Sequence, residues 1–303
     1  MSGATASWLA DGRRLHLNHG PIDLIVEAFG EERERFLAYR QAVARFETIL
    51  EELVAELPAL RSPAGARARR FSGSTAQRME EAVHAHVPAF VTPMAAVAGS
   101  VADEVLAALV KDRAITRAYV NNGGDIAIHL ADGESLDIAI AGTGHGLADR
   151  ISLSTADPVR GIATSGWRGR SHSLGIADAV TVLASSAAAA DVAATLIAND
   201  IDLPGHPAVK RVPANEIDPD SDLRGRLVTQ AVGCLSDPDV ARALENGLST
   251  AWAMRERGLI EAAALFLRGE TRECGTISLG KLAYTPVPAV PSHSHAQKGL
   301  THA

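Results

Sequence analysis

Residues 186–200, SAAAADVAATLIAND, set Asp191 and Thr195 into an otherwise apolar helical run. At i and i+4 the two share one helix face. A carboxylate and a hydroxyl are hard oxygen donors, and Mg2+ takes one or two carboxylates and completes its octahedron with waters and substrate phosphates. The same spacing also suits a threonine bonded back to the Asp191 carbonyl with Asp191 as a cap, so spacing alone leaves both readings open. Upstream, GIATSGWRGRSHS gathers Thr164, Ser165, Gly166, Ser171 and Ser173 with Arg168 and Arg170. Hydroxyls, backbone donors and guanidinium groups in one glycine-rich loop suit an anionic group, and a solvated surface loop is the plainer alternative. His172 lies inside this loop among hydroxyls. Imidazole titrates near neutrality, which makes His172 the first candidate for a general base. In VNNGGDI, Gly123 and Gly124 permit positive φ and close backbone approach, with Asp125 able to accept from a ligand hydroxyl; a strand-joining turn is an equal reading.

These residues need elements to hold them. From Glu31 to Leu57, Phe36, Tyr39, Val43, Phe46, Ile49 and Leu53 recur at helical steps, and Pro58 ends the run. TPMAAVAGSVADEVLAALVKD reads as a further helix, with Thr92 as N-cap and Pro93 at the first helical position. Its first turns hold only small residues, which admit a close-packed helix or a ligand to the exposed N–H groups. Strands are expected near 117–121, 124–130 and 135–141, joined by Gly123-Gly124 and then an ADGES turn. RISLSTADPVRGIATSG adds one or two more, DAVTVLAS another, and 186–199 is a helix. Residues 204–225 read as a long loop, whereas 227–234 and 237–270 return to helix-compatible periods. Residues 281–303 lack a packing pattern and are expected to be a disordered tail. Clustered strands with helices between them, without a regular βαβ beat, predict an α+β layered fold with mixed and antiparallel sheets flanked by helices, in one domain over 1–280.

With 303 residues, 47% of them hydrophobic, the chain can bury a substantial core. Its formal net charge of −7 gives no general attraction to phosphate backbones or anionic lipid, so nucleic acid is not an expected partner. Cys234 and Cys274 form no CxxC pair, which speaks against a disulfide framework or structural zinc and for buried or inert thiols. His84 and His86, two apart, diverge on a helix and make a poor metal pair. His293, His295 and His302 read as tail composition. No signal-length apolar core opens the chain and no uninterrupted apolar run reaches the roughly 18–20 residues of a span, so a soluble cytoplasmic protein with no membrane partner is expected. The alanine-rich helices suit packing within one chain or across a homodimer.

The order of the motifs is more specific than any one of them. PMAAVAGSVADEV, YVNNGGDI, GIATSG, a histidine and VTVLASSAAAADVAAT succeed one another as in the ApbE-like superfamily of flavin transferases, which the chain resembles over roughly residues 15–270. It is most similar to that superfamily's uncharacterised branch, which HGPIDLIVEAFG and ANEIDPDSDL also resemble. The resemblance implies an ApbE-like layered fold and Mg2+-dependent transfer of the FMN moiety of FAD to a Ser or Thr hydroxyl of an acceptor flavoprotein, with release of AMP. It implies that Asp191 and Thr195 match the family's metal pair, with a backbone carbonyl from Pro93–Ala96 as third ligand. It implies that Asn122, Gly123, Gly124 and Asp125 line the flavin nucleotide, and that Ala163, Thr164, Ser165 and Gly166 match the A-T-S-G turn. His172 would stand at the family's histidine, with Asp178 the nearest acid. Two stretches depart from the pattern: Ala98 replaces the lysine of G-G-I-A-K-G, and SHSLGIADAVTV replaces H-I-I-D-P-R-T-G. Two further readings therefore stand beside transfer: a non-catalytic flavin- or nucleotide-binding protein, and an enzyme on the same scaffold acting on another small heterocyclic substrate.

Overall fold

A computed structural model describes residues 3–139, 149–169, 171–275 and 279–281. The expected tail beyond 281, the end of the strand expected to reach 141, and Arg170 lie outside the described residues. The chain opens with β1 (Thr5–Trp8), β2 (Leu15–His19) and β3 (Ile22–Gly30), and then enters α1 (Glu32–Ala55). Tyr39, Phe46, Ile49 and Leu53 of α1 are buried as their spacing predicts, whereas Phe36 is 59% exposed. Burying side chains of this size contributes about 1.5–3 kcal/mol each. Glu32 and Glu34 sit in the first turn, where the helix dipole favours acids. Pro58 does not merely stop this helix; it sits in the first positions of a short α2 (Leu57–Leu60).

After α3 (Ser74–His84), a 3-10 turn over Pro93–Ala96 leads into α4 (Val97–Val110). Thr92 does not cap this turn with its side chain; its hydroxyl donates to Asp222 instead. Pro93–Val110 has a mean hydropathy of 1.5 over 18 residues, long and apolar enough to cross a membrane. That apolarity has a use inside the fold, because α4 packs against α1, α3, β4 (Ile115–Asn122) and β5 (Asp125–Leu130). Next come β6 (Ser135–Ala139), β7 (Asp149–Ser154), β8 (Gly161–Ser165), β9 (Ala179–Ala184) and α5 (Ala187–Asp200). The expected loop at 204–225 contains β10 (Val209–Pro213) and α6 (Ala214–Ile217), and the segment expected to be helical from 227 is β11 (Leu227–Val232). Likewise α7 (Asp237–Glu256) ends before β12 (Ala262–Leu267) and β13 (Glu270–Cys274); β14 (Leu279–Lys281) follows. All six residues of β12 are buried, so no two-residue alternation marks it as a strand.

The architecture is α+β, as expected. One nine-stranded sheet runs in the order β1-β2-β3-β4-β5-β8-β9-β12-β13, with β14-β7-β6 and β10-β11 as smaller sheets. Every neighbouring pair is antiparallel. One face of the large sheet carries the helices, and Val120, Ala127, Ala163 and Val182 join their core there. The opposite face sends Ile126, Ile128, Ile162 and Leu183 into a second cluster with Ile138, Ile151 and Leu153 of β6 and β7. Cys274 is buried and Cys234 exposed, both as free thiols.

Candidate functional site

The site forms where α4 and α5 begin, over the middle of the large sheet. Gly123 and Gly124 turn the chain at φ of 66° and 118°, and Asn122 pairs directly with Asp125 across that turn. Positive φ at both positions is what such a tight hairpin requires and what glycine supplies without strain. The Gly124 N–H donates to Asn121 Oδ1 (2.9 Å), which fixes the turn from the preceding strand. Two-residue alternation then sets Asn122 beside Val120 and Asp125 beside Ala127, on the helix face. Register places Ala163 on the same face: β8 pairs with β5 through Ile126–Ile162 and Ala127–Gly161. Ser165 follows Ala163 on that face, whereas Thr164 projects to the other side and hydrogen-bonds Thr181 across the strands (2.9 Å). Gly166 is held at the end of β8, where a Cβ would lie 2.6 Å from the Asp178 carbonyl oxygen.

Above this face the two helices cap each other. The Gly99 N–H at the start of α4 donates to Asp191 Oδ2 of α5 (3.0 Å). In return the Ala187 and Ala188 N–H groups at the start of α5 donate to Asp103 Oδ1 and Oδ2 of α4 (3.1 and 2.9 Å). Each carboxylate thus satisfies amides that a helix start leaves without intrahelical partners. The crossing is close: a Cβ on Gly99 would stand 2.3 Å from the Ala187 carbonyl oxygen. Asn122 completes the arrangement by donating from Nδ2 to the Ala98 carbonyl (3.1 Å), which ties the hairpin to the first turn of α4.

Burial pushes the Asp191 carboxyl well above the usual carboxylate range, the charge of Asp125 adds to this, and the Gly99 and Ala98 amides oppose it. Burial raises Asp103 as well, with the Ala188 and Ala187 amides opposing. Acids therefore gather at one spot under a helix N-terminus, and Thr195 lies one turn beyond Asp191 on the same face of α5. These are oxygen donors suited to a hard cation. Among the described residues no group of three or more His, Cys, Asp or Glu forms a metal cluster. A cation here would accordingly depend on Asp191 and Asp125 together with hydroxyl, carbonyl and substrate oxygens.

Asp178, the acid nearest to His172 in the sequence, makes no hydrogen bond to it among the described residues. Asp178 instead accepts from Arg168 Nε through Oδ1 (2.6 Å) and from the Arg268 N–H through Oδ2 (2.7 Å), bridging the loop after β8 to the β12–β13 turn. His172 is half-buried at the head of a loop stitched to the far end of α5. There Asn199 Oδ1 accepts from the Leu174 N–H (2.9 Å), and the Thr229 N–H donates to the Ser173 carbonyl (2.9 Å). Asn199 is two turns past Asp191, about 12 Å along the helix axis. The structure therefore brings Asn122, Asp125 and Asp191 together, sets Ala163 on the same face of the sheet, turns Thr164 away, and gives Asp178 other partners. Sequence reading missed Asp103 and Gly99. The available signal was an acid at the seventh position of an alanine- and valine-rich helix, with a glycine one turn before it.

A family model described as AbpE bacteria matches residues 6–273. Among curated relatives, a UPF0280 protein of Methanopyrus kandleri is 33% identical over 171 residues, spanning 56% of this chain and 67% of that protein. One from Methanosphaerula palustris is 31% identical over 182 residues, spanning 59% and 74%. A third, from Methanococcoides burtonii, is 38% identical over 121 residues, and there the match spans 40% of this chain and half of the relative. Two solved structures align along most of the chain. The flavin transferase ApbE of Vibrio cholerae has 12% identity and a TM-score of 0.47, covering 90% of this chain and 97% of that one. The Pseudomonas stutzeri flavinyl transferase ApbE in its apo form has 14% identity and a TM-score of 0.43, covering 89% and 94%.

Proposed function

The chain belongs to the AbpE bacteria family, and from that premise we propose that its site binds a flavin nucleotide and transfers the FMN moiety of FAD to a Ser or Thr hydroxyl with the help of Mg2+. The observation that carries this reading is the convergence of Asn122 and Asp191 on the first turn of α4, with the charge of Asp125 acting on Asp191. Asp191 and Asp125 concentrate negative charge in a half-buried place, and Asp191 is pushed upward rather than down. That is the electrostatic state a divalent cation relieves. The donor set fits Mg2+: Asp191, Asp125 and Thr195 offer hard oxygens. Mg2+ held there would neutralise the charge of a diphosphate. Asn122 and the Gly123-Gly124 backbone line the nucleotide side of the site, and Ala163 keeps the neighbouring strand surface low.

A second reading, binding without transfer, is favoured by two specific features. Neither Ala98 nor Gly99 supplies the lysine that the resembled family carries in this segment, and Asp178 is already engaged by Arg168 and Arg268, which leaves His172 without that acid to orient it.

Incubation of the purified protein with FAD, with and without Mg2+, and analysis for AMP and FMN separates the readings. Asp191→Asn is the informative variant, because an amide oxygen still accepts from Gly99 while the charge is gone. Metal-dependent AMP release by the parent protein, lost in Asp191→Asn with the melting temperature preserved, supports transfer. FAD bound intact supports the second reading, and no binding of FAD removes both.

A further inference from the structure

A cavity of about 360 Å3 lies away from the Asp191 carboxylate, between the connection that leads from α3 to α4, the C-terminal half of α5, and α7. Its lining includes His86, Phe90, Leu174, Leu196, Met254 and Arg257. We infer that this cavity binds a small aromatic monocarboxylate whose ring carries a hydroxyl or another neutral hydrogen-bonding group. The inference does not depend on the flavin reading.

Size sets the first limit. Ligand pockets span roughly 300–1,000 Å3, so this one suits a single ring and is too small for a dinucleotide. Chemistry sets the second. The inner wall is apolar, with Leu196 8% and Met254 6% exposed, and His86 is buried among them at 5%. Among the described residues no hydrogen bond reaches the His86 ring. Burial, helped by the Arg257 charge, lowers His86 to about 4, so it faces the cavity as a neutral imidazole with one donor and one acceptor. A neutral hydroxyl on a ring meets that need, and an ionised group at that depth does not.

The mouth recognises charge instead. Arg257 is exposed and uses one nitrogen on the Ala85 carbonyl, which leaves other guanidinium donors for a carboxylate. Arg226 lies 3.4 Å over the Phe90 ring and adds a second cation near the entrance. Asp200, also on the lining, accepts from the Thr250 hydroxyl (2.7 Å), and its charge disfavours a ligand with a second anionic group. An apolar ring between a neutral polar end and a single carboxylate matches the cavity from floor to rim.

Calorimetric titration with 4-hydroxybenzoate, benzoate and phenol tests this. The expected result is saturable binding of 4-hydroxybenzoate, with benzoate and phenol each at least about 10-fold weaker, as loss of one well-placed hydrogen bond predicts. Arg257→Gln, on an exposed residue, should weaken 4-hydroxybenzoate about 10-fold or more with the melting temperature unchanged. His86→Leu should erase the preference for 4-hydroxybenzoate over benzoate. Asp191→Asn should leave the affinity as it is, which keeps this result separate from the fate of the flavin reading. No saturable binding of the three probes to the folded parent protein overturns the inference, and so does an affinity indifferent to Arg257→Gln. If His86→Leu does not fold, the Arg257→Gln titration decides.

Discussion

At the scale of single residues, titratable groups are buried for different reasons, and pH separates them. His86 sits among Leu196 and Met254 with Arg257 as its charged neighbour, and its folded-state value of about 4 lies below the unperturbed 6.5. A depressed histidine favours folding above the unfolded value, and this contribution is lost as pH falls from about 6.5 towards 4. The shift corresponds to at most about 3 kcal/mol. Glu80 and Glu104 titrate lower. Burial raises each, but Arg69 around Glu80, and Ser74, Arg78 and Arg45 around Glu104, more than reverse it and leave both below the usual range. Their stabilisation is present above the unfolded carboxylate value near 4.3 and is lost only as pH falls below it. Asp191 and Asp103, raised by burial, act in the opposite sense as pH falls, so the His86 contribution is read against a variant: the urea midpoint of the parent protein should lose more between pH 6.5 and 4.5 than that of His86→Gln. His86→Gln should flatten that window while leaving the steeper fall below pH 4.5 in place. A decline of equal size in the variant would assign the window to other groups.

At the scale of elements, α4 and α5 position the site by holding each other. Asp103 accepts from two amides at the start of α5, and Ser186 Oγ accepts from a third, Ala189 (3.2 Å). Asp103→Ala should therefore leave α5 folded but less firmly seated, at a cost of about 1–2 kcal/mol. Asp103→Asn, which retains one acceptor oxygen, should recover part of that loss. If Asp191 holds a cation, Asp103→Ala should also weaken Mn2+ binding measured by electron paramagnetic resonance, although Asp103 need not touch the ion. Stability lost with Mn2+ affinity intact would confine Asp103 to a capping role. Close packing beneath α5 makes a sharper claim. A Cβ on Gly161 would stand 2.0 Å from the Ser186 carbonyl carbon, whereas one on Gly225 would meet nothing within 4 Å. Gly161→Ala should destabilise by more than about 4 kcal/mol or fail to yield soluble protein, because the obstacle is backbone. Gly225→Ala should change stability by less than about 1 kcal/mol. Similar thermal melts for the two variants would show that the α5–β8 contact yields more readily than its geometry implies.

At the scale of the whole molecule, what could be read from the sequence followed how local each signal was. The α1 stripe, the Gly123-Gly124 hairpin and the α5 span are set by neighbours within a few residues, and they stand in the structure nearly where their spacing put them. β12 was hidden because a strand buried on both faces, AAALFL, carries no alternation to distinguish it from a buried helix. Within the site, Asp191 and Thr195 were legible as a pair on one face. The partners of Asp191 were not: Gly99 lies 92 residues away, and no local pattern encodes one helix capping another. The same long-range closure bears on how the chain comes apart. The main core takes Leu15 and Leu17 from the first hairpin, Phe46 from α1, Val105 from α4, Ile197 from α5, Leu244 from α7 and Cys274 from β13. The second cluster is built on the opposite face of β5, β8 and β9, so those strands serve both. Elements that share strands cannot lose one layer and keep the other intact, which argues for a single cooperative unit. Tryptophan fluorescence samples this unit at separate places, through Trp8 on β1, Trp167 after β8 and Trp252 on α7. Urea transitions followed by fluorescence and by far-ultraviolet circular dichroism should coincide. Two resolved transitions would instead mean that the first hairpin and α1 fold apart from the sheet that carries the site, and would divide the chain where its core is continuous.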